Sequence, residues 1–222
     1  CVYTRNAAAL LPRPISICEV NEEKTMLRLV YRTVGKGTNE FATYHAGAEI
    51  SLLGPLGNGF PVEKAAGKRV FLIGGGIGIP PMLQLSKEIK KAGQAYCELS
   101  VLGYRNELFL NTDLEKYSQV YVATEDGSTG TKGTVLDAIK EKGLSGDVIF
   151  ACGPMPMLRA IKEYAAANNM EAYISLEEHM ACGVGACLGC VCKTKNVDAH
   201  SHVHNSRICT DGPVYNAEEV EI

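Results

Sequence analysis

Between Arg69 and Leu176 the chain alternates short apolar runs with stretches of helical spacing, and this rhythm restricts its fold more than any other feature. "RVFLI", "ELSVLGY", "QVYVAT", "DVIFAC" and "EAYISL" have strand character. "PMLQLSKEIKKAG", "TVLDAIKEK" and "MPMLRAIKEYAAA" have helical character, the first with Met82, Leu85 and Ile89 on one face, Pro81 in its first turn and Gly93 after its last. Strands joined by helices of this length predict a parallel sheet, with nucleotides bound at the C-terminal ends of its strands. Two sharp turns fall at such ends. "GGGIGIPP" follows the first strand, and "CGPMPM" follows "DVIFA". The first departs from the G-x-G-x-x-G fingerprint, because position 79 is Ile. Arg105 stands where an acidic residue would grip a ribose, which leaves a 2′-phosphate conceivable. Taken alone, either turn is explained by packing.

A second constraint lies downstream in "MACGVGACLGCVCKT". Cys182, Cys187 and Cys190 are spaced C-x4-C-x2-C, and a distal Cys209 follows in "CTDGPVY". That is the spacing of a plant-type [2Fe–2S] centre. Gly183, Gly185 and Gly189 let the backbone turn sharply and aim amides at sulfur. The alternative is a zinc site using Cys187 and Cys190 with His200, His202 and His204, whose alternation would set them on one face of a hairpin strand. Cys192, two residues past Cys190, reads as a spare thiol. An odd total of nine cysteines without an export signal argues for a reducing compartment, and so for metal rather than disulfides. The expected location is cytoplasmic.

Composition excludes other classes. Net charge is -3 and 46% of residues are apolar, so nothing predicts a nucleic-acid or membrane partner. The most apolar run, 70–83, is broken by glycines and prolines and is too short to span a bilayer.

Before Lys64 the texture changes. "CVYT", "PISICEV", "MLRLVYRT" and "AEISLLG" are strand-like. Arg13 can offer a planar fork to a pyrophosphate, and Ser16 a hydroxyl to a ring nitrogen. Gly37 and Thr38 open a short helix whose free amides suit phosphate. Each also has an ordinary reading as a solvated arginine, a turn serine or a capped helix.

In chain order, "RPIS", "VYR", "GT" at 37–38, "GPLGNGF", "GGGIGIPPM", "DGSTGTKG", "CGPMPML", "ACGVGACLGC" and "CTDGPVY" resemble the electron-transfer subunits of class 1B dihydroorotate dehydrogenases, within the ferredoxin–NADP reductase superfamily. The resemblance implies three domains: an FAD-binding antiparallel β-barrel over 1–64, an NAD-binding α/β domain over 65–176 and a small [2Fe–2S] domain over 177–222. It implies FAD contacts at Arg13, Pro14, Ile15, Ser16, Val30, Tyr31, Arg32, Gly37 and Thr38. NADH would be bound at Gly74, Gly75, Gly76, Gly78, Cys152, Gly153 and Pro154, and the cluster by Cys182, Cys187, Cys190 and Cys209. The family's barrel has six strands and only about four can be drawn here, so an N-terminally shortened chain is expected, lacking roughly one hairpin. The implied role is electron transfer between NADH, FAD and the cluster and a separate FMN-containing catalytic subunit in pyrimidine biosynthesis, within a heterotetramer. The exposed cysteine loop, with Met180, Val184 and Leu188, would be the docking rim. Two alternatives stand beside it: the small subunit of a ferredoxin–NADP oxidoreductase or sulfhydrogenase complex, and a non-redox, zinc-stabilised nucleotide-binding module.

Overall fold

A computed structural model describes residues 1–6, 9–198 and 202–222. Its centre is a seven-stranded sheet. The apolar runs become β3 (Arg69–Gly75), β4 (Cys97–Tyr104), β5 (Gln119–Thr124), β7 (Val148–Cys152) and β8 (Glu171–Ser175), with a short β6 (Thr131–Lys132). These six are parallel, and β11 (Val214–Asn216) adds antiparallel to β8, giving the order β11-β8-β7-β3-β4-β5-β6. The expected all-parallel sheet is therefore mixed, because a strand from the 177–222 region completes its edge.

β3 shows why these runs lack a polar face. Phe71 and Ile73 enter one core with Val101, Ile149, Leu158 and Ile161, whereas Val70 and Leu72 enter the opposite core with Met82, Ile89 and Phe150. A strand covered on both faces needs apolar residues at every position. Each of these fully buried large side chains contributes about 1.5–3 kcal/mol.

Helices cover both faces. α2 (Pro80–Ala92) starts on two prolines and stops at Gly93, whose φ of 63° lets its amide reach the carbonyls of Ile89 and Lys90. α4 (Val135–Glu141) begins with a capping box in which the Asp137 amide donates to Thr134 Oγ1 and the Thr134 amide donates to Asp137 Oδ2. α5 (Met155–Ala167) packs on β7 and β8. The four-residue α3 (Asn111–Leu114), after Leu110 at a φ of 61°, is a further element.

The first 64 residues hold less strand than expected. β1 (Ile17–Val20) and β2 (Leu27–Leu29) form an antiparallel ladder, but the first and fourth strand-like segments reduce to single bridges of Val2 with Arg13 and with Leu52. A run of β-formers becomes a strand only where neighbours pair with it. β1 lies on α2, where Gln84 accepts from the Val20 amide and Lys87 donates to the Val20 carbonyl. α1 (Lys36–Phe41) is the short helix expected around Gly37. At the other end, β9 (Val191–Lys193) and β10 (Asn205–Arg207) form a hairpin beneath the cysteine loop.

Candidate functional site

The cysteine loop turns twice through glycine. Gly183 and Gly185 have φ of 69° and 78°, a region that costs a side-chain-bearing residue about 1 kcal/mol. The turns aim amides at sulfur: Val184 N–H donates to Cys182 Sγ at 3.4 Å. The amides of Val184 and Cys187, with the Cys187 thiol alongside, hold the Cys182 thiol down to about 6. A second pair lies deeper. Cys190 and Cys209 are each 2% exposed, and the Ile208 amide donates to the Cys190 carbonyl, tying their strands together. Burial, then the neighbouring Cys190 thiol, pushes Cys209 up to about 11. The loop behind Cys209 is closed by a fork: Arg207 Nε and Nη2 donate to the two carboxylate oxygens of Asp211 at 2.9 and 3.1 Å.

The four thiols thus form an outer pair, Cys182 with Cys187, and an inner pair, Cys190 with Cys209. Four cysteine side chains, two outer and two inner, with amides aimed at sulfur, fit the chemistry of a two-iron cluster, which would take them as thiolates. His202 and His204 do not share a strand face. His202 takes a φ of 56° in the hairpin loop, and His204 lies just before β10, its Nδ1 3.0 Å from the Lys195 carbonyl; His200 lies outside the described residues. Cys192 sits apart, its thiol raised by burial and set against the Tyr215 hydroxyl.

Parallel pairing of β3 with β7 places Gly74 opposite Cys152, so the two strand-end turns meet. Gly78 is the point of contact: a Cβ there would stand 2.2 Å from the Cys152 carbonyl oxygen and 2.5 Å from the Gly153 nitrogen. The glycine turn, one residue short of the standard fingerprint in sequence, is fitted to its neighbouring turn. Gly75 and Gly76 continue the turn, and Pro154 caps α5. Cys152 is 1% exposed, and burial pushes its thiol up to about 12.

In the first 64 residues, Arg13 lies across Gly37, where a Cβ would stand 2.3 Å from its Nε. Thr38 Oγ1 accepts from the Val34 and Gly35 amides at 2.9 and 3.1 Å, closing the turn into α1. Pro14 and Ser16 are exposed, Ile15, Val30 and Tyr31 half-exposed, and Arg32 reaches toward the other face, its Nη2 3.5 Å from where a Cβ of Gly76 would be. One residue without any motif joins this group. Glu177, just past β8, has its carboxyl raised by the protein around it and opposed by the Arg32 guanidinium, and its charge is felt at Cys152. Only the end of a strand beside Cys152 marks it, and nothing in the sequence singles it out.

Residues 177–221 match the iron–sulfur cluster binding domain of dihydroorotate dehydrogenase B, and residues 72–163 match the oxidoreductase NAD-binding domain. The chain is 43% identical over 220 residues to the "dihydroorotate dehydrogenase B (NAD(+)), electron transfer subunit" of Geobacillus sp. (strain WCH70), covering 98% of this chain and 82% of that protein. It is 44% identical over 218 residues to the protein of the same description from Bacillus caldolyticus, covering 97% and 82%. Among solved structures, an NADH-dependent reduced ferredoxin–NADP oxidoreductase is similar at a TM-score of 0.86 and 29% identity, over 99% of this chain and 77% of that one. An Amycolatopsis cytochrome P450 reductase shares the fold at a TM-score of 0.63 and 20% identity, over 76% and 56%. The ferredoxin–NADP reductase-like architecture, with NAD-binding and iron–sulfur regions, is thus shared, and the zinc-stabilised module gives way to the iron–sulfur reading.

Proposed function

The chain belongs to the electron-transfer subunits of dihydroorotate dehydrogenase B, and from that premise we propose how its residues divide the work. The chain is an NADH-linked flavin and iron–sulfur oxidoreductase subunit, moving electrons between NADH, FAD and a [2Fe–2S] cluster and the dihydroorotate dehydrogenase reaction. Bound FAD supplies the change between paired and single electrons, and the bound cluster a one-electron carrier, because NADH gives up two electrons together as hydride.

Cys182, Cys187, Cys190 and Cys209 hold the cluster as two pairs. Arg13, seated on Gly37, offers its guanidinium to the FAD pyrophosphate beside Thr38, with Pro14, Ile15, Ser16, Val30, Tyr31 and Arg32 lining the flavin. Gly74, Gly75, Gly76, Gly78, Cys152, Gly153 and Pro154 form the NADH site, where the close fit of Gly78 to Cys152 keeps the strand-end cleft open. A thiol as well buried as Cys152 stays protonated and uncharged, and hydride movement asks no general base of the protein. Arg32 and Glu177 bring opposite charges to the same cleft.

The domain division follows these roles: an FAD-binding region with barrel character over 1–64, the NAD domain over 65–176 and the cluster domain over 177–222. The partner is a separate FMN-containing catalytic subunit, met at the cysteine loop where Val184 and Leu188 are exposed. Among the described residues no helix is long and apolar enough to cross a membrane, and we place the protein in the cytoplasm. The single observation that carries the reading is the pairing of the four thiols. The test is the holoprotein itself. It is expected to contain iron and acid-labile sulfide, to lose flavin and cluster absorption on adding NADH, and to support orotate-dependent NADH oxidation when mixed with the catalytic subunit. A colourless protein carrying zinc would overturn the reading. A coloured one that reduces ferredoxin but never serves orotate would favour the ferredoxin oxidoreductase role, to which the 29%-identical structure is the guide.

A further inference from the structure

The "GPLGNGF" segment has no part in the cofactor assignments above, yet it touches both lips of the cysteine cluster. On one side, Leu56 Cδ1 lies 3.1 Å, and Leu53 Cδ2, from the residue just before the segment, 3.6 Å, from where a Cβ on Gly183 would stand, next to Cys182. On the other, Asn58 bonds to three successive carbonyls behind Cys209. Its amide N–H donates to Gly212 at 2.6 Å, and its carboxamide Nδ2 donates to Thr210 at 2.9 Å and to Asp211 at 3.1 Å. Gly57 makes this approach possible, since at its φ of 68° a Cβ would stand 2.3 Å from the Gly212 carbonyl oxygen.

We infer that Asn58 is a positioning residue, clamping the 210–212 turn so that the Cys209 side of the cluster keeps a fixed place against the flavin-binding region. Asn58 is exposed, so water can satisfy its amide, and the bonds add little net stability. Their value is directional. One rigid carboxamide addresses two neighbouring carbonyls at once, while Arg207 and Asp211 brace the same turn from within.

This inference rests on Cys209 being a cluster ligand, and the experiment separates the two. In holoprotein, Asn58→Ala removes the side-chain bonds and Asn58→Asp points a carboxylate at the same carbonyls without changing shape. Both variants are expected to keep NADH-dependent flavin bleaching at the wild-type rate, which also reports correct folding. Amide exchange at 210–212 should accelerate roughly tenfold, and the electron paramagnetic resonance signal of the reduced cluster should shift, with Asn58→Asp affected at least as much as Asn58→Ala. Wild-type exchange and signal in Asn58→Asp would overturn the clamp, as would a slowing of flavin bleaching in proportion to the cluster change. Cys209→Ser is the control: iron loss there supports the ligand assignment, and an intact cluster would remove the foundation of the inference whatever Asn58 does.

Discussion

Replacing Gly78 by alanine would place a methyl group 2.2 Å from the carbonyl oxygen of Cys152 and 2.4 Å from its carbonyl carbon. Comfortable separation is about 3.5 Å, so roughly 1 Å of movement must be found. Both partners are backbone, and neither can swing aside like a side chain. β3 and β7 are locked in register beneath them, which leaves only the turns to spread. Overpacking of this kind costs about 1–3 kcal/mol. In a chain of 222 residues that lowers the melting temperature by roughly 3–10 °C. Because the same turns form the proposed NADH site, a displacement near 1 Å should also slow flavin reduction by NADH about a hundredfold. Gly93→Ala supplies the comparison. Gly93 has nothing within 4 Å of its would-be Cβ but a φ of 63°, so it suffers only backbone strain, about 1 kcal/mol, at the far end of α2. Stopped-flow bleaching and thermal melts of the two holoproteins should therefore diverge, with one losing stability and hydride transfer and the other losing stability alone. Equal NADH kinetics in the two variants would refute the argument from contact.

Glu98, pushed up to about 7 by burial against the opposing Ser86 hydroxyl and Lys90, makes the protein's stability fall as pH rises from about 4.5 through 7, since the folded state binds the extra proton over that window. Glu98→Gln should flatten that slope and gain about 1–2 kcal/mol at pH 8, the figure discounted for the side chain's remaining contact with water; urea melts at pH 5 and pH 8 check it, and an unchanged slope would count against it. The buried Cys152 should resist iodoacetamide in native holoprotein at pH 8 while the part-exposed Cys97 reacts, as peptide mapping would show. Labelling of both at one rate would contradict the burial argument.

The parts of this molecule legible in its sequence are those governed by local rules. β3 and β7 announce themselves because a doubly covered strand must be apolar almost throughout, and α2 is bounded by Pro80 and Gly93 for reasons internal to helices. The cysteine spacing marks a loop that binds metal. Which thiol stands beside which does not follow from spacing, since the inner pair is made by the bond between Ile208 and Cys190, from chain segments well apart. The same holds for the strand-like segment around Leu52, which meets only Val2, and for β11, a three-residue strand that exists because β8 offers it an edge. Glu177 carries no local signature, because its surroundings are assembled by the sheet.

β11 has one more implication. Many redox proteins carry their terminal centre on a tethered domain that swings between donor and acceptor, and their turnover slows in viscous media. Here the strand that follows the last cysteine is woven into the same sheet that ends in the nucleotide turns. On the proposed ligand assignment, the centre is built into the wall rather than hung from a hinge, so delivery inside the chain would proceed across a set gap, and whatever takes the electrons onward would have to dock where they already are.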